Sequence, residues 1–482
     1  MTYAVTLPGV GSVDSRRRRL PAIAIAATLM LGACAQIAED RGFTAVETTA
    51  ASVLKKDVRW IRTEEDAREV DRRVAELLKQ PLTADSAVQI ALLNNRGLQA
   101  SYNDLGLSAA SLARALTLPN PGFSFGRTSK GGVVEIERRF TLDFLSLLTM
   151  PIAASIEERR FEEAKMRAAD QVLRVAADTR KAYHAAVASR QVQNYMQQAK
   201  LAAEASAEMS SRLGETGAYS KMAQAREKVF YAETMTQVVR ARASNTAERE
   251  RLIRHMGLWG KSLNFTLPER LADLPQSVRE LPDIETRAIE DRLDLKMARL
   301  EVEGLARSYG LTQATRFINV LEGSYLNTSE QGEPNRRGYE IELSIPLFDF
   351  GTTKVAEAEH TYLMAVNRLA EMAVNVRSSV RESYEVYRLS YDLARQYQND
   401  VVPLRKIISD ENMLHYNGML VGVFELLADA REQIGSVIAA IQAHRDFLIA
   451  ETELEAALIG GASGVSLPSG EAATPSSPSG GH

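Results

Sequence analysis

The chain has a single cysteine, Cys34, among its 482 residues, which excludes an internal disulfide and a cysteine-built metal site. Its histidines, His184, His255, His360, His415, His444 and His482, show no ligand spacing to one another. HExxH, a phosphate-cradling glycine loop after a strand, and a nucleophile elbow are all missing, which counts against an enzyme and leaves no basis for a cofactor or a resident metal. Beyond Cys34 no apolar run is long enough for a transmembrane helix. If the mature chain crosses a membrane, it does so with strands. Glycine and proline are absent from Phe161 to Leu213 and from Thr352 to Val402, stretches of 53 and 51 residues. At 1.5 Å per residue these predict helices of about 80 and 76 Å, far beyond the globular average of about 11 to 12 residues.

At the N-terminus Arg16 to Arg19 precede the apolar run Leu20 to Leu31 and then Leu31-Gly32-Ala33-Cys34, the basic, apolar and small-residue parts of a secretory signal. Leu-Gly-Ala-Cys in this place resembles the bacterial lipobox, which implies that Cys34 becomes the lipidated first residue of the mature chain. Ala35 is not the aspartate that holds many such lipoproteins at the inner membrane, so the implied destination is the outer membrane. Removal of the four arginines and Asp14 takes the net charge from −4 to −7, and nucleic acid is not an expected partner.

Two halves of the chain echo each other. Gly217-Ala218-Tyr219-Ser220-Lys221-Met222-Ala223-Gln224-Ala225-Arg226-Glu227 matches Gly422 to Glu432 at a shift of 205, and the same shift pairs Glu135-Ile136-Glu137 with Glu340-Ile341-Glu342. A shift shared by two separate stretches argues for a duplicated unit. Each unit opens with short helices; the first starts at Pro81-Leu82-Thr83 with Thr83 as N-cap and breaks at Asn94-Asn95. A hairpin follows. Tyr339, Ile341, Leu343, Ile345 and Leu347 alternate with Glu340, Glu342 and Ser344, and Phe317, Leu321 and Tyr325 repeat the apolar spacing in the partner strand. One apolar and one acidic face on strands this short suit a water-lined membrane barrel, although a soluble sandwich gives the same alternation. Arg138 falls on the apolar face with Ile136 and Phe140. After each hairpin a long helix and a returning helix, Tyr219 to Met256 or Phe424 to Leu458, form an antiparallel coiled coil whose glycine-bearing turn is a tip. Pro403 should bend the second hairpin. Tyr384, Tyr387 and Tyr391 form a stripe that reads as core. Glu425 and Asp429 stand at i and i+4 just inside the second tip, where a solvated surface pair is the plain alternative.

Pro119-Asn120-Pro121, Ser344-Ile345-Pro346-Leu347-Phe348-Asp349-Phe350-Gly351 and the Tyr416 to Arg431 tip, in this order and duplicated, resemble the outer-membrane factor family of TolC-type efflux ducts, in its lipoprotein branch. The resemblance covers roughly residues 81 to 458. It implies a mainly α chain with a small membrane β-barrel: a homotrimer whose protomers each give four strands to one barrel, continued by an α-helical barrel in the periplasm. Implied site residues are the periplasmic gate Glu425 and Asp429, with Asp429 one position off the family's second acid. The adaptor-docking tip comprises Leu213, Gly214, Gly217, Gly418, Val421, Gly422 and Val423, and the lumen-facing strand residues are Glu340, Glu342 and Ser344. Implied partners are a periplasmic adaptor, an inner-membrane pump and outer-membrane lipid.

The expected organisation is a signal peptide at 1–33, a periplasmic segment at 34–80, a first repeat at 81–265 with its hairpin at 119–142 and tip at 213–219, a linker at 266–282, a second repeat at 283–459 with its hairpin at 316–347 and tip at 416–424, and a disordered tail at 460–482. The expected function is a passive export duct. A helical adaptor or scaffold lipoprotein without a pore is the rival reading, and an enzyme using Glu135, Glu137, Glu340 and Glu342 as acid and base is another.

Overall fold

The computed structural model describes residues 40 to 460, apart from Asn319, Ile345, Leu347 and the side chain of Lys261. The signal sequence, Cys34, Ile345, Leu347 and the tail beyond Gly460 lie outside the described residues. The chain divides into a strand unit, 108–158 with 307–356, and a helical unit formed by 42–107, 159–306 and the described part of 357–482.

The helical unit begins with α1 (Phe43–Thr49), continued by a π turn at Ala50–Leu54, and α2 (Glu64–Leu77). Between them residues 55 to 62 form a connecting stretch outside any helix or strand, which Lys55 opens in the left-handed conformation at φ 54°. Two glutamines hold this stretch against the next helices. Gln89 accepts from Asp57 N at 3.1 Å and donates to Asp57 O at 2.8 Å, while Gln99 does the same for Ile61 N at 2.9 Å and Arg59 O at 2.8 Å. A capping box at Thr63 and Asp66 starts α2, and the Thr63 hydroxyl, followed by Arg59, lowers the Asp66 carboxyl to about 2.

Helix α3 (Ala84–Asn94) starts at Thr83, whose hydroxyl accepts from Ser86 N as the sequence suggests. Ala87 through Asn94 are all buried, so this short helix is the centre of the core rather than a surface element. Its terminal asparagines reach across to the end of a later helix: Asn94 Nδ2 donates to Gly257 O at 2.7 Å and Asn95 Nδ2 to His255 O at 2.9 Å. Helix α4 (Arg96–Ala115) follows directly.

Four long helices complete the unit. Helix α5 (Phe144–Glu215) has 72 residues and starts seventeen positions before Phe161, because Pro151 is accommodated inside its early turns. Helix α6 is Lys221–Met256, capped by the Ser220 hydroxyl accepting from Ala223 N at 3.2 Å. Helices α7 (Ile284–Asp291) and α8 (Leu293–Thr315) repeat the short pair before the second hairpin. Helix α9 (Thr352–Gln396) widens into a π turn at Tyr397–Val401 and resumes as α10 (Val402–Asn417). The expected helix end at Val402 is thus corrected: the wider turn places Pro403 at the start of a new helix, where its missing N–H has no intrahelical partner to lose. Helix α11 (Val423–Ile459) closes the chain.

The main core draws Leu82, just before α3, Ile90 of α3, Ala186 of α5, Leu252 and Met256 of α6, Tyr387 and Tyr391 of α9 and Phe447 of α11 into one cluster. Tyr387 and Tyr391 are core, as the stripe suggests, and each also fixes the segment between the repeats. The Tyr391 hydroxyl donates to Gln276 O at 2.8 Å, and Tyr387 Oη accepts from Arg279 N at 3.2 Å. Leu267 and Leu271 of that segment are buried, and Leu274, Val278 and Leu281 pack against the same core.

Candidate functional site

The strand unit holds one antiparallel sheet in the order β1 (Gly122–Lys130), β2 (Val133–Asp143), β3 (Val320–Glu330) and β4 (Arg336–Ser344). Phe317, expected on the third strand, precedes it. The register places Phe123, Phe140, Tyr325 and Tyr339 on one rung, since Phe123 pairs with Phe140, Phe140 with Tyr325 and Tyr325 with Tyr339. Paired residues on neighbouring strands share a face, and alternate residues along each strand share it too. One face therefore carries these four aromatic rings with Leu142, Leu321, Ile341 and Leu343. It is open to its surroundings: Tyr339 is 87% exposed and Ile341 72%. Gly323 on this face leaves room for the Phe144 ring, which a Cβ there would meet at 2.5 Å.

The other face is polar. Glu340 accepts from Arg139 Nη1 at 3.1 Å, and Arg139 Nη2 also reaches Glu137 at 3.2 Å. Asp143, Glu322 and Glu342 occupy one rung, and Thr141 and Ser324 share a hydrogen bond at 2.9 Å. Glu340, Glu342 and Ser344 thus fall together on the charged face, in the alternation the sequence shows. Asp143 and Glu322 belong to the same row, but Asp143 sits at a strand end and Glu322 beside a glycine, so neither stands out in the sequence. No helix among the described residues is long and apolar enough to cross a membrane.

In the helical unit the two tips come together. Tyr219 Oη and Tyr416 Oη are 3.4 Å apart, and burial, then this bond, pushes the Tyr219 phenol up. The Arg226 guanidinium lies 5.0 Å from the centre of the Phe424 ring, and Arg431 lies 5.4 Å from that of Phe230. Arg431 also pairs with Glu233 at 2.8 Å. These arginines are the pair matched by the shift of 205, and each reaches the other half's tip.

Both turns close in the same way. In the first, Ala218 N donates to Leu213 O at 3.0 Å and Gly217 N to Gly214 O at 3.2 Å; in the second, Leu420 N donates to His415 O at 2.9 Å and Met419 N to Tyr416 O at 3.0 Å. The left-handed residue is Gly217 in the first turn, at φ 76°, but Met419 in the second, at φ 59°. Gly418 has φ −76° and Gly422 is the extended residue before α11, so the glycines of the second tip do not make its turn. Gly214 leaves room for the Gln224 amide, which donates to Tyr219 O at 3.1 Å. Met419 and Leu420 are exposed at 94% and 75%. Val421 and Val423 are half-buried and Leu213 lies in the last turn of α5.

Glu425 and Asp429 stand in different environments. Glu425 is exposed in the first turn of α11, where its charge suits the helix N-terminus. Asp429 is buried, and among the described residues neither of its side-chain oxygens has a hydrogen-bond partner. A neighbouring feature is absent from the sequence reading: Glu227 is buried on α6, with Ser206 Oγ donating to it at 2.9 Å. Burial raises the Glu227 carboxyl and the Ser206 bond opposes this. Farther along, a cleft of about 840 Å³ is lined by Arg190, Asn194, Gln198, Gln398 and His444 among others, with the π turn on one side. Burial lowers His444, and its Nε2 has no hydrogen-bond partner among the described residues.

No family model and no curated protein matches this chain. Solved structures do. CusC, described in the course of folding and transmembrane channel formation, aligns with a TM-score of 0.66 at 14% identity over 78% of this chain and 92% of its own. The CmeC outer membrane channel of Campylobacter jejuni aligns at 0.65 and 14% over 86% and 91%. The open state of the MtrE outer membrane channel of Neisseria gonorrhoeae aligns at 0.57 and 16% over 78% and 88%. Four strands in one antiparallel sheet, long helices and paired helical tips thus form the fold that outer-membrane channels have.

Proposed function

We propose that this chain is an outer-membrane factor of the TolC type: a passive export duct, not an enzyme, that forms the outer-membrane part of a tripartite efflux or secretion system. The observation that carries this reading is the sheet, which has one exposed aromatic and apolar face, one carboxylate-lined face and, among the described residues, two unpaired edges at β1 and β4. Four strands cannot close a membrane barrel, for which about eight is the common minimum. Open edges in lipid leave backbone groups unsatisfied. Joining β4 of one protomer to β1 of the next in a homotrimer removes both edges, turns the apolar face to lipid and gives the lumen Glu340, Glu342 and Ser344. Helix pairs in two copies then continue the passage into the periplasm as an α-helical barrel. The element series helix, helix, strand, strand, long helix, returning helix occurs twice along the chain, which supports a duplicated unit.

In this reading Cys34 anchors the mature chain to the outer membrane by lipid. The paired tips, including Leu213, Gly214, Gly217, Gly418, Val421, Gly422 and Val423, receive the periplasmic adaptor that links the duct to an inner-membrane pump. The exposed Met419 and Leu420 add apolar surface there. Glu425 contributes to the periplasmic gate: three such carboxylates around an axis repel one another and favour cations. Asp429 belongs to the same gate only if the helices turn it out of its buried site on opening.

Planar-bilayer recording of the purified protein tests this. Discrete conductance that rises in Glu425→Ala is expected. Silent bilayers under conditions where the protein inserts would overturn the duct, and equal conductance in both proteins would remove Glu425 from the gate.

A further inference from the structure

The two faces of the sheet treat their cations differently. On the carboxylate face Arg139 pairs with Glu137 and Glu340, and Arg336 pairs with Glu330 at 3.0 Å. The aromatic face carries Arg127, Arg138 and Arg337, and every strand carboxylate in the register falls on the opposite side. Among the described residues none of these three has an ion pair; Arg138 Nη1 only donates to Asn327 Oδ1, at 3.4 Å. All three are exposed. Their placement is ordered. The rung beside the four aromatic rings is Phe125, Arg138, Asn327 and Arg337, and Arg127 lies one same-face step farther toward the hairpin turns. From the helix-proximal end the face runs from leucine and isoleucine to aromatic rings and then to the unpaired arginines, with Phe125 and Ile136 on the arginine rungs and Val134 one step beyond them.

We propose that this arginine border binds the phosphomonoester headgroups of an anionic lipid in the outward leaflet. The inference rests on the duct reading, which turns this face to lipid and its hairpin turns outward. Aromatic rings mark the depth where hydrocarbon gives way to headgroups, and the next rung stands where phosphate is found. A cation at mid-bilayer is strongly unfavourable, whereas at this depth the cost is small and a phosphate supplies the missing counter-charge. Guanidinium groups suit phosphate because they donate two parallel hydrogen bonds. Three cations on adjoining rungs exceed the single charge of a phosphodiester, and a phosphomonoester carries about −1.5 to −2 at neutral pH. Arg138 is therefore not a misplaced charge among Ile136 and Phe140 but the centre of the border.

The test is native mass spectrometry of the detergent-extracted protein titrated with dioleoyl phosphatidic acid, phosphatidylglycerol or phosphatidylcholine. Phosphatidic acid should be retained in preference to the other two, and retention should fall as salt rises. At about fivefold per cation near an anionic surface, the combined Arg127→Gln, Arg138→Gln and Arg337→Gln variant should bind phosphatidic acid roughly a hundredfold more weakly. Arg139→Gln with Arg336→Gln, on the other face, should bind it unchanged. If the triple variant does not assemble, Arg337→Gln alone and the salt series on the unaltered protein give the same decision. Equal retention of phosphatidic acid and phosphatidylglycerol, or by the unaltered and variant proteins, overturns the assignment while a conducting protein keeps the duct. A protein that neither conducts nor retains lipid overturns both.

Discussion

Helix α3 and strand β4 are similar in length and opposite in what they bury. Eight consecutive residues of α3, Ala87 to Asn94, are buried within the chain, whereas no described residue of β4 is. The helical unit completes its own core. In the proposed duct the sheet is finished by what lies outside the chain, namely lipid on one face, water on the other and further copies at both edges. On that reading the exposed Tyr339 is a residue whose burial partner is lipid.

Substitutions in the two regions should separate cleanly. Phe447 is fully buried against Tyr387 and Tyr391, so Phe447→Ala should cost about 3 to 5 kcal/mol in denaturant unfolding followed by helical circular dichroism. Phe123→Ala should leave that transition in place, and an equal loss from both would break the comparison. Within the sheet the sharper contrast is between neighbours. Ile341→Arg puts a charge toward lipid at a cost of about 2 to 4 kcal/mol near mid-bilayer and should impair insertion into liposomes, while Glu342→Gln should insert normally and alter only conductance.

Smaller effects belong to the tips. Asp429 is a buried carboxylate without a hydrogen bond among the described residues, so Asp429→Leu should stabilise the tip by about 1 to 3 kcal/mol, read as slower amide exchange in α11. Met419→Gly should relieve about 1 kcal/mol of left-handed strain and slow exchange around Leu420, whereas Gly418→Ala should change little. The mildest test is pH. Because burial raises the Glu227 carboxyl, the protonated form favours the folded tip: its stabilisation is complete below the ordinary glutamate range and is lost as pH rises through the raised value. Exchange near Glu227 should quicken over that interval, and Glu227→Gln should flatten the dependence.

What the sequence discloses follows from how local each cause is. Alternation in Tyr339 to Ser344, the Thr83 cap, the absence of glycine and proline from the long helices and the repeat at 205 residues are properties of neighbouring residues, and they are legible as such. Strand pairing makes the arginine border visible, because Arg127, Arg138 and Arg337 are joined only through partners far along the chain. The connecting stretch near Asp57 is held by Gln89 and Gln99, whose role no local pattern reveals. At the second tip the glycines suggested a turn at Gly418 or Gly422, and Met419 makes it instead, since the hydrogen bonds from Met419 and Leu420 back to α10 fix its position. Glu425 and Asp429 form a pair by spacing, yet the packing of α11 exposes one and buries the other.

In the proposed duct the sheet is one part of a barrel completed by other copies. Analytical ultracentrifugation of the detergent-extracted protein, with bound detergent subtracted, measures this directly. A stable trimer is expected. A monomer that stays soluble when detergent is withdrawn would contradict it, because the open face with Tyr339 and Ile341 would then have neither lipid nor partner to cover it.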